Sequence, residues 1–226
     1  MGVIPGFLPS TRALHYSNNT WPSAPDVQLT TPFGPINIGN SATGLCGGMA
    51  FATADLWAAD KVPPTTAVNP APGSAAFKFV VARLIDSFHL PAGVAEYYLW
   101  MNLPTHDMWI GPWGTSHRTI ATTMPAIRAS IDGGHPCPLG LVTVHSSAPA
   151  DLGKNHQVLA YGYDDSAGST TVHIYDPNMP DDDGVTISFD HTHPTQTTEF
   201  VHSGGETVLG FFVVPYTTRD PAPLFA

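Results

Sequence analysis

The hydrophobic pattern of this chain changes period once, near residue 137, and that change limits the folds open to it. Before it, apolar residues recur at helical spacing; after it, they gather in short, β-branched runs. A chain that makes its helices first and its strands afterwards segregates them in space, which predicts α+β rather than alternating α/β units. Four helices are expected. The first covers about residues 45–60 and stops before Pro63-Pro64. The second, about 74–88, sets Phe77, Val80, Val81, Leu84, Ile85 and Phe88 at helical spacing, with Ser74 as its N-cap. The third, about 93–102, is short and aromatic. The fourth, about 115–131, ends in Gly133-Gly134, and Pro125 should kink or split it.

After Cys137, residues 139–144, 156–163, 170–175, 185–189 and 208–216 read as about five strands of an antiparallel sheet. Residues 164–168 are a turn-rich link of hairpin type. Residues 1–43 read as an extended arm with strand-like pieces such as Val27-Gln28-Leu29, and 218–226 as a tail. One domain over 1–226 is expected, with a mainly helical lobe (44–136) ahead of a sheet lobe (137–217).

Only 12% of the residues are charged, and 8 Lys+Arg against 18 Asp+Glu give a formal net charge of -10. Phosphate binding needs clustered cations, so neither nucleic acid nor an anionic membrane is expected as a partner. No apolar run approaches a membrane span, and residues 1–7 lack the basic start and long apolar core of a secretory signal peptide. Two cysteines, Cys46 and Cys137, are too few for a disulfide scaffold and leave the compartment open. Cys137, between Pro136 and Pro138, reads as a packed residue.

Cys46 differs. In Gly44-Leu45-Cys46-Gly47-Gly48-Met49 it opens the first helix between glycines. A thiol at a helix N-terminus meets unpaired backbone N–H groups and the positive end of the macrodipole, and both favour the nucleophilic thiolate. The flanking glycines would let a carbonyl approach the sulfur. A buried structural cysteine reads equally well from this segment alone.

A cysteine nucleophile needs a base and a group that orients the base. His156 opens one predicted strand and Asp176 ends the next. In an antiparallel hairpin the start of one strand lies beside the end of the other, so these two of the chain's many ionisable residues should be neighbours. Cys46, His156 and Asp176 then make a Cys–His–Asp constellation in chain order.

Together with Asn155-His156-Gln157-Val158-Leu159-Ala160-Tyr161-Gly162-Tyr163 and Ile174-Tyr175-Asp176-Pro177-Asn178, the cysteine segment resembles the papain-like cysteine peptidases, in the bacterial branch of bacteriocin-processing, "C39-like" enzymes. The resemblance implies a papain-like fold and a thiol hydrolase. It makes Cys46 the nucleophile, His156 its base and Asp176 the orienting group. It also implies an oxyanion-binding amide six residues before the nucleophile, which is Asn40 here, a residue that is equally a turn former after Gly39. A peptide or protein substrate is implied, with no cofactor and no metal. The same fold hosts deamidases, acyltransferases and transglutaminase-type enzymes, and a non-catalytic binding domain that kept the fold is the reading from another class.

Three further segments carry chemistry-type side chains. Asp181-Asp182-Asp183-Gly184 offers calcium-type oxygens, but its spacing is not that of an EF-hand, and a solvated loop is the better reading. His191 and His193 alternate on one strand without a third zinc ligand. Trp109-Ile110-Gly111-Pro112-Trp113 reads equally as a groove lining or as packing between lobes.

Overall fold

The computed structural model describes residues 1–21, 27–31, 34–38 and 44–226. Its first part contains β1 (Gly2–Val3), α1 (Pro9–Arg12) and a small antiparallel pair, β2 (Val27–Thr31) and β3 (Gly34–Ile38). The helices follow as α2 (Cys46–Ala58), α3 (Ala75–Ser87), α4 (Ala92–Met101), α5 (Thr115–His117) and α6 (Met124–Asp132). Then come β4 (Cys137–Val142), β5 (His156–Ser166), β6 (Ser169–Tyr175), β7 (Thr186–Asp190), β8 (Phe200–His202), β9 (Thr207–Val208) and β10 (Gly210–Val213). The architecture is α+β. No helix among the described residues is long and apolar enough to cross a membrane.

Helix α2 is the hub. Its residues from Cys46 to Leu56 are all buried, as a helix apolar on every side must be. Ala50 and Ala54 face the sheet core; Met49, Ala52 and Leu56 pack with Phe77, Val80 and Leu84 of α3; Phe51 joins the cluster around α4. Gly48 makes the α2–α3 approach possible, because a Cβ there would stand 2.1 Å from the Val80 carbonyl oxygen. Ser74 caps α3, its hydroxyl accepting the Phe77 N–H at 3.1 Å.

The fourth helix is not broken at Pro125: helical turns follow one another from Thr115 to Asp132. Residues Arg118–Thr123 widen into a π-turn between α5 and α6, with the Met124 N–H reaching back to Thr119. Pro125, at the start of α6, has no N–H to give, and the wider turn accommodates its ring. The freed Thr119 hydroxyl donates to the Phe211 carbonyl and accepts the Phe211 N–H, fastening the helix to β10.

The sheet corrects the expectation of about five strands. It has eight, in the order β10-β4-β5-β6-β7-β8-β9 with β1 added on β5, and it curls into a nearly closed barrel. The unforeseen strands β1 and β8 have two and three residues, too few to show a period. The predicted strand 208–216 is divided at Leu209, and Gly210 (φ 157°) lets the chain turn into β10 against Thr115. The β5–β6 link is tighter than expected, since both strands continue to Ser166 and Ser169.

Candidate functional site

The β5–β6 hairpin determines where the site is. Leu159 pairs with Tyr175, and continuing that register puts Asp176 opposite Val158, two residues from His156 on the same face. His156 Nε2 and Asp176 Oδ1 are 2.6 Å apart, and both residues are buried. The Cys46 sulfur, at the first position of α2, stands beside the His156 ring and acts on it both as a charge and as a hydrogen-bonding partner. The structure therefore brings Cys46, His156 and Asp176 together. Asn40 lies outside the described residues.

Each group shifts the next. Burial pulls His156 toward its neutral form, but the Cys46 charge, hydrogen bonds with Asp176 and Cys46, and the Asp176 charge outweigh it. The imidazole pKa is held well above its ordinary value. Burial by itself would raise the Asp176 carboxyl, yet hydrogen bonds from His156, His202 and the Asn178 N–H, with the imidazolium charge, hold it well below the usual carboxylate range. A protonated imidazole on an ionised carboxylate is the state this surrounding favours.

Residues without a sequence signal complete the cluster. His202 is buried, and its Nδ1 accepts the Gly204 N–H at 3.0 Å, so a neutral ring carries its proton on Nε2, 3.3 Å from Asp176 Oδ2. Glu206 follows in the next turn, and burial raises its carboxyl above the ordinary value. Asn18, from the N-terminal arm, accepts the Leu45 N–H (2.6 Å) and donates to Asn178 Oδ1 (3.0 Å), while its own N–H reaches the Pro177 carbonyl (2.8 Å). One buried amide thus ties the loop before Cys46 to the loop after Asp176. Gly44 (φ 61°) leaves room for it, since a Cβ there would stand 2.5 Å from Asn18 Nδ2. Asn18 lies in an unpatterned stretch, and His202 is one of eleven histidines on a three-residue strand.

The floor beneath Cys46 is close-packed. At Gly47 a Cβ would meet Ser87 Oγ at 2.4 Å and Gln157 Oε1 at 2.6 Å. Tyr97, fully enclosed, holds its hydroxyl 3.4 Å from the His156 carbonyl, and burial followed by the Cys46 charge raises it well above its usual pKa.

The remaining candidates have other employment. Cys137 is a free, packed thiol, pushed up to about 12 by burial. Asp183 binds the Ser10 backbone and hydroxyl, and Asp181 binds His15, so the acidic loop holds the N-terminal arm. His191 and His193 bond to Thr170 and Thr192. Trp109 and Ile110 are 99% and 90% exposed and do not pack, whereas Trp113 stacks on the His117 ring with centroids 4.2 Å apart. Among the described residues, the trio of ligand-type side chains within mutual reach is His156, Asp176 and Glu206, whose ligand atoms lie within 4.8 Å. The 2.6 Å His156–Asp176 separation is that of a shared proton, shorter than the roughly 3.4 Å between ligands around a tetrahedral ion.

Compared with protein-family models, curated proteins and solved structures, the chain matches none, and its chemistry is therefore to be read from this buried cysteine, histidine and aspartate.

Proposed function

We propose that this protein is a cysteine hydrolase of papain-like type, a peptidase or amidase working through a thioester acyl-enzyme. One observation carries the reading: a cysteine at the start of a central helix lies beside a histidine whose other side is fixed by a buried aspartate. With Nε2 committed to Asp176, Nδ1 is the nitrogen left for the sulfur.

The residues divide the chemistry as follows. His156 takes the Cys46 proton, and the thiolate attacks a substrate carbonyl. Negative charge developing on the carbonyl oxygen is met by backbone N–H groups at the α2 start, with Asn40 in the role the resemblance gives it; each donor of this kind is worth about 3 kcal/mol in the transition state. The imidazolium gives its proton to the leaving amine, and the acyl group stays on sulfur as a thioester. His156 then takes a proton from water as the water oxygen attacks. The acid departs, and Cys46 leaves as thiolate. Asp176 keeps the ring oriented and its charge balanced throughout. The net charge of -10 favours a neutral or basic peptide over an acidic one.

Iodoacetamide labelling tests the activated thiol. Cys46 should be alkylated near neutral pH faster than an exposed peptide thiol, and more slowly in His156→Gln. Equal rates in all three would remove the reading. Products from a peptide library with added amines then separate hydrolysis from acyl transfer, because amine incorporation would identify a transferase.

A further inference from the structure

Glu206 is the charge-bearing residue of this cluster that the mechanism above does not use. Its Oε2 is enclosed and has no hydrogen-bond partner among the described residues. Its carboxylate comes within 4.8 Å of the His156 and Asp176 ligand atoms. The side chain is half-buried, and an enclosed oxygen without a partner is costly unless its charge acts on a neighbour. Asp176 already has company, Oδ1 accepting from His156 and the Asn178 N–H and Oδ2 lying 3.3 Å from His202 Nε2 without hydrogen-bond alignment. Of the two imidazoles that attract Glu206, His156 does so more strongly than His202. Oε2 is turned inward, while the side chain borders an open groove of about 550 Å³ with His202, Thr105 and Glu199.

We propose that Glu206 is a positioning residue which, from behind Asp176, governs how far up the pH scale His156 keeps its proton, and through His156 the lifetime of the ion pair with Cys46. This rests on the hydrolase reading only for its consequence in activity; the effect on His156 is electrostatic and stands apart from it. The groups facing the imidazole are Cys46 from α2, Asp176 at the end of β6 and Glu206 before β9; His202 from β8 faces Asp176 and Glu206, and Tyr97 from α4 faces the cysteine. Burial is the largest influence on Glu206, followed by attraction to His156, repulsion from Asp176 and attraction to His202; together they raise its carboxyl. In acid it is neutral and adds nothing to the pair. Once ionised, it places a second negative charge beside the imidazolium and resists the ring's deprotonation, extending the active range upward.

The test is the titration of His156 by NMR in the full chain with isotopically labelled histidine, its signal assigned by loss in His156→Phe. Glu206→Gln keeps the shape and removes the charge; Glu206→Asp keeps the charge on a shorter stem. The expected result is a His156 midpoint lower by about one pH unit in Glu206→Gln, the size of a single neighbouring charge, with a smaller shift in Glu206→Asp. The alkaline limb of Cys46 alkylation should move by the same amount. A merely structural residue would change stability without moving this midpoint. Equal midpoints in wild type and Glu206→Gln overturn the proposal. If wild-type Cys46 shows no accelerated alkylation, the hydrolase reading falls, and the NMR midpoints still decide the case of Glu206.

Discussion

At the scale of single residues the site is a chain of buried charges, and its cohesion depends on pH in both directions. Asp176 has a depressed pKa, so its contribution is complete above the unfolded value near 3.8 and is lost as pH falls toward the folded one. His156 runs the other way. Its folded pKa is raised, so its contribution is complete below about 6.5 and drains away as pH rises toward the folded value. Urea unfolding should therefore show stability falling with pH above about 6.5, and that slope should flatten in His156→Gln. An unchanged slope would mean that the histidine is not held protonated. Asp176→Asn keeps the shape while removing the charge. It should lower kcat by roughly a hundred- to ten-thousand-fold, the usual worth of an oriented acid–base group, with a smaller effect on KM.

At the scale of elements, α2 and the β5–β6 hairpin do most of the positioning, and both were legible for a physical reason. An apolar run opened by Gly-Leu-Cys-Gly-Gly has one good helical solution, and two apolar runs around a short polar link have one good antiparallel pairing. The hairpin register then delivers Asp176 to His156 without knowledge of any other element. What stayed hidden depends on distant pairing. The strands β1 and β8 exist because neighbouring strands supply their partners, and two or three residues carry no period. His202 reaches the site on β8, Glu206 in the turn before β9, and Asn18 in a three-residue 3-10 turn, none of which carries a pattern. The π-turn was hidden for a related reason: Pro125 announces a disturbance, but the Thr119–Phe211 bonds that shape it come from β10. Gly48→Ala tests the packing of α2. The added methyl meets a backbone oxygen, which cannot rotate away, so the helices must separate. Thermal unfolding should show a loss of about 1–3 kcal/mol, together with slower Cys46 alkylation as the start of α2 shifts from His156.

At the scale of the whole molecule, the helices, the sheet and the last residues are fastened by a second buried network far from the cysteine. Arg83 of α3 is 2% exposed and Asp55 of α2 is fully buried. Arg83 Nε lies 2.7 Å from Asp55 Oδ2, a contact of charge more than of hydrogen-bond alignment, and its Nη2 is 3.1 Å from Oδ1. The same guanidinium binds Asp86 (2.7 Å) and the Thr217 carbonyl (2.8 Å). Asp55 also accepts from the Tyr216 hydroxyl and the Arg219 N–H. The segment after β10 is thereby clamped to both helices, and Leu224 beyond it packs into the α2–α3 core. Even with these partners, burial leaves the Asp55 carboxyl raised. Arg83→Met should therefore cost about 3–5 kcal/mol, because it strands a buried carboxylate. The cost should depend on pH. Without the guanidinium the folded Asp55 pKa rises further, so stability is lost as pH climbs through the unfolded value near 3.8 and toward the folded one. The deficit measured in urea should be smaller near pH 4.5 than at pH 8. Asp55→Leu placed on Arg83→Met should recover part of the loss, since neither charge is then left alone. If the two substitutions simply add, Arg83 and Asp55 do not act as a pair, and the joint between helices and chain end rests on apolar packing.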